Sequence, residues 1–125
     1  MSTSLIRILV TGLLFLSIFA AGYWLSHSGK PYSVLILTAH KLISLAAVVF
    51  LVITMIQSNR VAALNAIELT AGVITGLFFL SLIITGGLLS SDKQMPAVVL
   101  KLHQLAPYLT VLSTAVTLYL LQSRK

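Results

Sequence analysis

The chain contains no cysteine, and only two acidic residues, Glu68 and Asp92, stand against eight basic ones. Without thiols there are no disulfides, no thiolate nucleophile, no iron–sulfur ligation and no thioether-attached haem, and cysteine usage carries no information about compartment. Glu68 sits at the edge of an apolar run and Asp92 in a polar link, so no carboxylate falls in the middle of any apolar run. That argues against ion-coupled transport, which relies on ionisable groups at membrane depth. It also deprives zinc or copper of the ligands that would complete a site around histidine. There is no phosphate-binding glycine loop and no dinucleotide fingerprint. No basic cluster interleaved with aromatics points to nucleic acid, so the net charge of +6 reads as anchoring at a lipid surface.

What the sequence has in abundance is apolar surface: 58% of its 125 residues are hydrophobic, and the mean hydropathy is +1.07. Four long apolar runs stand out, about Leu5–Leu25, Tyr32–Ile56, Ala66–Leu89 and Pro96–Leu121. Each has the roughly 20 residues needed to cross a ~30 Å hydrocarbon core as a helix. Isolated strands are excluded because a spanning segment must satisfy its own backbone. The links are short and carry turn residues: His27-Ser28-Gly29-Lys30-Pro31, then Gln57-Ser58-Asn59-Arg60 opening the second link, then Ser90-Ser91-Asp92-Lys93-Gln94-Met95. Pro31 and Pro96 stand where helix starts tolerate proline. The expectation is an all-α membrane protein, a four-helix transmembrane bundle with up-down-up-down connectivity, forming a single transmembrane domain over 1–125. The first run, with Arg7 ahead and Ala20-Ala21 behind, also has the outline of a signal peptide, but its apolar core is longer than the usual ~7–15 residues.

An internal repeat strengthens the membrane reading. TGLLFLSIFAAGYWLS at Thr11–Ser26 and TGLFFLSLIITGGLLS at Thr75–Ser90 share nine of sixteen aligned positions. The second copy lies in mid-chain and cannot be a signal peptide, which argues that its counterpart is a span as well. Beyond the next link, GKPYSVLILTAHKL overlies DKQMPAVVLKLHQL after one residue of slippage, and His40 falls on His103. The chain therefore reads as a duplicated two-helix unit, with copies at about 5–57 and 66–122.

The duplication delivers one intramembrane histidine per copy. His40 lies about eight residues into the second run and His103 about seven into the fourth, so both imidazoles are expected roughly 10–12 Å below the same surface. In a four-helix bundle the second and fourth helices form the diagonal pair, about 13–14 Å apart. That gap suits two histidines reaching one iron from opposite faces of a porphyrin, a bis-histidine haem b. Ser44 and Ala47 follow His40 at helical spacing, and Pro107 and Thr110 follow His103, all small or compact. Pro107 has no N–H to give the His103 carbonyl, so a kink is expected below that ligand. Gly22 and Gly86 are repeat-equivalent, lie at about the same depth, and leave room for a flat macrocycle. Lys41 and Lys101, with Lys30 and Lys93, stand near enough to pair with propionates. Three readings stay open: haem ligation by His40 and His103, a structural histidine pair hydrogen-bonding between helices, and another metal site or proton relay.

The pattern resembles one half of the haem A synthase family, whose members are built from two four-helix halves, each with a histidine on its second and fourth helices. The residues that carry the likeness are Ala39-His40-Lys41-Leu42 and Leu102-His103-Gln104-Leu105, with histidines 63 positions apart. The resemblance implies a four-helix membrane fold holding a haem through His40 and His103. Two departures go with it. The family carries two such bundles where this chain has one. The reacting half of the family has a glutamate three residues before its second-helix histidine, where this chain has Leu37. The chain therefore looks more like the haem-holding half. It is similar, more loosely, to the four-helix b-type membrane cytochromes, which hold two haems on four histidines.

Two protein ligands on one iron favour single-electron transfer over oxygen binding, so an electron-transfer protein is expected rather than a catalyst, with a quinone or a redox protein as partner, within the bilayer or a larger membrane complex. The alternatives are a haem-free assembly subunit and an enzyme half acting on haem or quinone. His27 reads as a solvated loop histidine, with an accessory ligand role as its alternative. Glu68 reads as a first-turn acid that favours the helix dipole, with proton delivery to a quinone as the alternative. Gly72 and Gly76 form a GxxxG pattern that reads as close packing inside the bundle. Tyr23, Trp24, Tyr32 and Tyr108 read as interfacial anchors, and Trp24 also as a point on an electron path. Arg7, Arg60, Arg124 and Lys125 fall on the side of the termini, so the positive-inside rule expects both termini in the cytoplasm, in a prokaryotic inner membrane.

Overall fold

A computed structural model describes residues 2–91 and 93–124. Asp92 of the third link and Lys125 of the terminal basic group lie outside the described residues. The chain is helical, with α1 at Thr3–Ser28, α2 at Val34–Val61, α3 at Ala66–Leu89 and α4 at Ala97–Gln122, and no strand among the described residues. All four helices are long and apolar enough to cross a membrane. The shortest has 24 residues, roughly 36 Å at the α-helical rise. This is an integral membrane protein by length and composition of its helices.

Local chemistry sets the helix ends. Ser2 caps α1 by accepting from the Leu5 N–H at 3.2 Å. The helix closes at Gly29, whose φ of +66° lies in the left-handed region and whose N–H donates to the Leu25 carbonyl at 3.1 Å. Asn65 and Glu68 form a capping box at the start of α3: the Glu68 N–H donates to Asn65 Oδ1 at 2.8 Å and the Asn65 N–H to Glu68 Oε1 at 2.9 Å. Pro96 precedes α4 with φ −55°, already helical in that angle.

Two boundaries differ from expectation. Gln57-Ser58-Asn59-Arg60 does not open a link; it forms the last turns of α2. The physical reason is that Ser58 is buried and the Gln57 amide oxygen accepts from Arg7 Nη2 at 2.9 Å, so these polar groups have partners in helical geometry. His27 and Ser28 likewise belong to α1 rather than to a loop. The His27 ring stacks on Tyr23 one turn earlier, with centroids 4.0 Å apart, which supports the added helical turn.

The chain divides into two compact units, Met1–Arg60 and Val61–Lys125, each an α-hairpin holding one copy of the repeat. Their buried residues repeat as well. Ala47, Leu51, Thr54 and Ser58 are the buried positions of α2, and adding 63 to each gives Thr110, Thr114, Thr117 and Leu121, the buried positions of α4. Phe15 of α1 corresponds in the same way to Phe79 of α3, after the one-residue slip. The spacing of four, three and four residues is one helical stripe, and His40 and His103 stand at the head of it.

Packing is inverted relative to a soluble protein. Thr54, Thr75, Thr110 and Thr117 are the largest fully buried side chains, while Leu13, Leu16, Leu77 and Leu112 are each at least 60% exposed. Lipid solvates leucine as well as a protein interior does, so small hydroxylated residues that let helices approach take the inside. In the second hairpin Thr75 Oγ1 bonds Ser113 Oγ at 2.5 Å and Thr117 Oγ1 at 3.1 Å, tying α3 to α4. The open end of each hairpin has its own polar tie, Arg7 to Gln57 in the first and Arg124 to Glu68 in the second.

Candidate functional site

In the first hairpin His40 lies six residues into α2, near the link to α1. Its Nδ1 is 3.2 Å from the carbonyl oxygen of Ile18 on α1. A carbonyl can only accept, so the proton sits on Nδ1 and the lone pair of the ring on Nε2. The approach depends on Gly22, four residues after Ile18 and one turn along the same face. A Cβ there would come within 3.2 Å of His40 Cε1. Any larger residue would screen the Ile18 carbonyl, because the side chain at i+4 covers the carbonyl at i. Ser44 donates its hydroxyl to the His40 carbonyl at 2.7 Å.

The second hairpin repeats the arrangement with one insertion. His103 lies six residues into α4, and a Cβ on Gly86 would come within 3.1 Å of its Cε1. By repeat register Leu82 corresponds to Ile18, and Thr85 to Ala21. The Thr85 hydroxyl stands between ring and carbonyl. Its Oγ1 lies 2.8 Å from His103 Nδ1, 2.8 Å from the Ser81 oxygen and 3.2 Å from the Leu82 oxygen. With its one proton directed at those carbonyls, Oγ1 accepts from Nδ1–H, and His103 also presents its lone pair on Nε2. The room left by Gly22 and Gly86 is thus taken by the imidazole of the same hairpin.

The other expected site residues fall as follows. Ala47 and Thr110 are buried, and the Thr110 hydroxyl donates to the Ala106 carbonyl at 2.9 Å. Pro107 lies inside α4, one turn after His103. Lys41 and Lys101 are exposed, as are Lys30 and Lys93. Lys30 Nζ sits 5.9 Å above the Tyr32 ring, a cation–π contact at the end of the first hairpin. Tyr23, Trp24 and Tyr108 are exposed. Gly76 does not serve close packing, since it is exposed and a Cβ there would meet nothing within 4 Å. Glu68 is 2% exposed, with Oε2 3.1 Å from Arg124 Nε, and Arg124 Nη2 also donates to the Ala62 and Ala63 carbonyls. That makes the acid part of a clamp closing the second hairpin.

Sequence reasoning missed three contributors. The Ile18 carbonyl is invisible in any sequence. Thr85 carried a signal in the change from Ala21-Gly22 to Thr85-Gly86 between the repeat copies. The Glu68 clamp carried one in the Asn-x-x-Glu spacing of a capping box. Among the described residues no cluster of three or more His, Asp or Glu side chains is placed to hold a metal ion. Chemically, each hairpin holds one imidazole at Nδ1, His40 against a backbone carbonyl and His103 against a threonine hydroxyl. Comparison with known proteins gives no matching family model, curated protein or solved structure.

Proposed function

We propose that the chain is a small b-type membrane cytochrome in which His40 and His103 supply the two axial ligands of one haem b. The observation that supports this most directly is the shared contact at Nδ1: each imidazole has that nitrogen against an oxygen on the preceding helix. In the Nδ1–H form the lone pair lies on Nε2. Metal-ligating histidines are ordinarily oriented in this way, by a hydrogen bond at the other ring nitrogen. The donor set, two imidazoles, fits haem iron, which needs only two atoms from the protein. When bound, such a haem would supply one-electron exchange. Lys41 and Lys101, exposed close to the two histidines, are the residues to meet its propionates. The partners are then a quinone or a redox protein, within the membrane or a larger complex. The open ends of the hairpins carry the arginines, and the positive-inside rule puts them in the cytoplasm, the membrane being a prokaryotic inner membrane.

A second reading has its own observation. Both Nδ1 bonds join the two helices of a hairpin, so the histidines would fasten helices in a haem-free assembly subunit. A reduced-minus-oxidised spectrum of the purified chain separates the two. Low-spin haem b bands that are lost in His40→Ala and His103→Ala support the cytochrome. A colourless pure protein eliminates it.

A further inference from the structure

The two imidazoles are alike in position but not in the chemistry of their partners. The Ile18 carbonyl has no proton, so His40 in this contact has one tautomer available, Nδ1–H. Thr85 Oγ1 has both a proton and lone pairs. In the arrangement described it accepts from His103 Nδ1–H while donating to Ser81 and Leu82. Rotation about the Cβ–Oγ bond turns the hydroxyl proton towards Nδ1. The ring can then be held as the Nε2–H tautomer, its Nδ1 lone pair accepting from the hydroxyl. The cost is the Thr85 bond to its own helix, a back-bond that itself slightly destabilises the helix.

We infer that Thr85 is a positioning residue that gives His103 two tautomers where His40 has one, making His103 the exchangeable member of the pair. This rests on the cytochrome reading only in its consequence for haem. There, His103 in the Nε2–H form would not hold the iron through Nε2, and a haem held by His40 would be able to take a small exogenous ligand instead.

The test has one readout without haem and one with it. The first uses the full-length chain with 15N-labelled histidine, prepared in lipid nanodiscs without haem. The His40 ring nitrogens are expected to show the single Nδ1–H pattern, and His103 averaged shifts from two exchanging tautomers. Thr85→Ala re-creates the Ala21 arrangement and gives the ring access to the Leu82 carbonyl, so it should move His103 to the single pattern. Thr85→Ser keeps a hydroxyl and should retain the averaging. Retained helical circular dichroism in both variants shows that the fold is intact, and a serine protein that folds keeps the comparison decisive if the alanine protein does not. Identical single-tautomer shifts for His40 and His103 in the unmodified protein, or averaging lost in the serine protein, overturn the inference. The second readout is carbon monoxide binding to the reduced, haem-loaded protein. It should weaken on the order of tenfold in Thr85→Ala, the factor that corresponds to about one hydrogen bond, and stay unchanged in Thr85→Ser. Unchanged carbon monoxide affinity in Thr85→Ala overturns the haem consequence. A chain that never takes up haem defeats the cytochrome reading and leaves the tautomer result standing.

Discussion

Adding one methyl group at each of two glycines in the same helix should have opposite effects. Gly76 and Gly86 both lie in α3. At Gly76 a Cβ enters open space, so Gly76→Ala should gain part of the ~1 kcal/mol by which alanine outranks glycine inside a helix. At Gly86 the same Cβ comes 3.1 Å from His103 Cε1 and 3.8 Å from both ring nitrogens. Ordinary carbon contacts lie near 3.5–4.0 Å, so the ring must retreat by a few tenths of an ångström. It cannot retreat and keep the 2.8 Å bond to Thr85. Losing that bond in the interior costs about 1–2 kcal/mol, more than the helix-propensity gain. Gly86→Ala should therefore be less stable than Gly76→Ala by roughly 1–2 kcal/mol, the hydrogen-bond term alone, since the propensity gain is common to both. Reversible unfolding in mixed detergent, followed by circular dichroism, measures both. Gly12→Ala and Gly22→Ala repeat the comparison in α1, where only Gly22 faces a ring, at 3.2 Å. Equal stabilisation by Gly76→Ala and Gly86→Ala would refute the reasoning, because the imidazole would then not be seated against the glycine.

Three further outcomes follow from the same contacts. Arg124→Ala leaves the Glu68 carboxylate without its cation. Because the arginine is partly exposed, the same unfolding assay should show a loss of about 2–4 kcal/mol, somewhat below a fully buried pair, and Glu68→Gln in the Arg124→Ala background should recover part of it. Thr75→Val removes the hydroxyl shared with Ser113 and Thr117 and should destabilise by about 0.6–1.7 kcal/mol, whereas Thr70→Val, an exposed position on the same helix, should be near neutral. Gly29→Ala forces a side chain onto backbone at φ +66° and ψ −177°, a combination essentially confined to glycine, and should cost about 1–3 kcal/mol, with Gly29→Asn no milder, again by unfolding.

Much of this was legible in the sequence, for reasons specific to membranes. An apolar run of about twenty residues has one stable solution in lipid, so four runs meant four helices. The repeat aligned His40 with His103 in sequence, and the buried stripes on α2 and α4 keep the same offset of 63. The hidden parts were polar. Hydropathy ends a span at its first cluster of polar residues, yet α2 continues through Gln57, which accepts from Arg7, and through the buried Ser58. Hydropathy also treats threonine as a mild surface residue, whereas here Thr54, Thr75, Thr110 and Thr117 are the most buried side chains. The partner of His40 is a backbone carbonyl, exposed by the glycine one turn on, and no side-chain pattern encodes it.

The grip of Arg124 on Glu68 and on the carbonyls of residues 62 and 63 has a bearing on biosynthesis. Translation delivers the carboxylate long before the guanidinium that neutralises it. Until α4 has been threaded, the nascent third span therefore holds an anion at the bilayer edge with no counter-charge from its own hairpin. A chain that ends within α4 lacks that guanidinium and leaves the carboxylate without its ion pair.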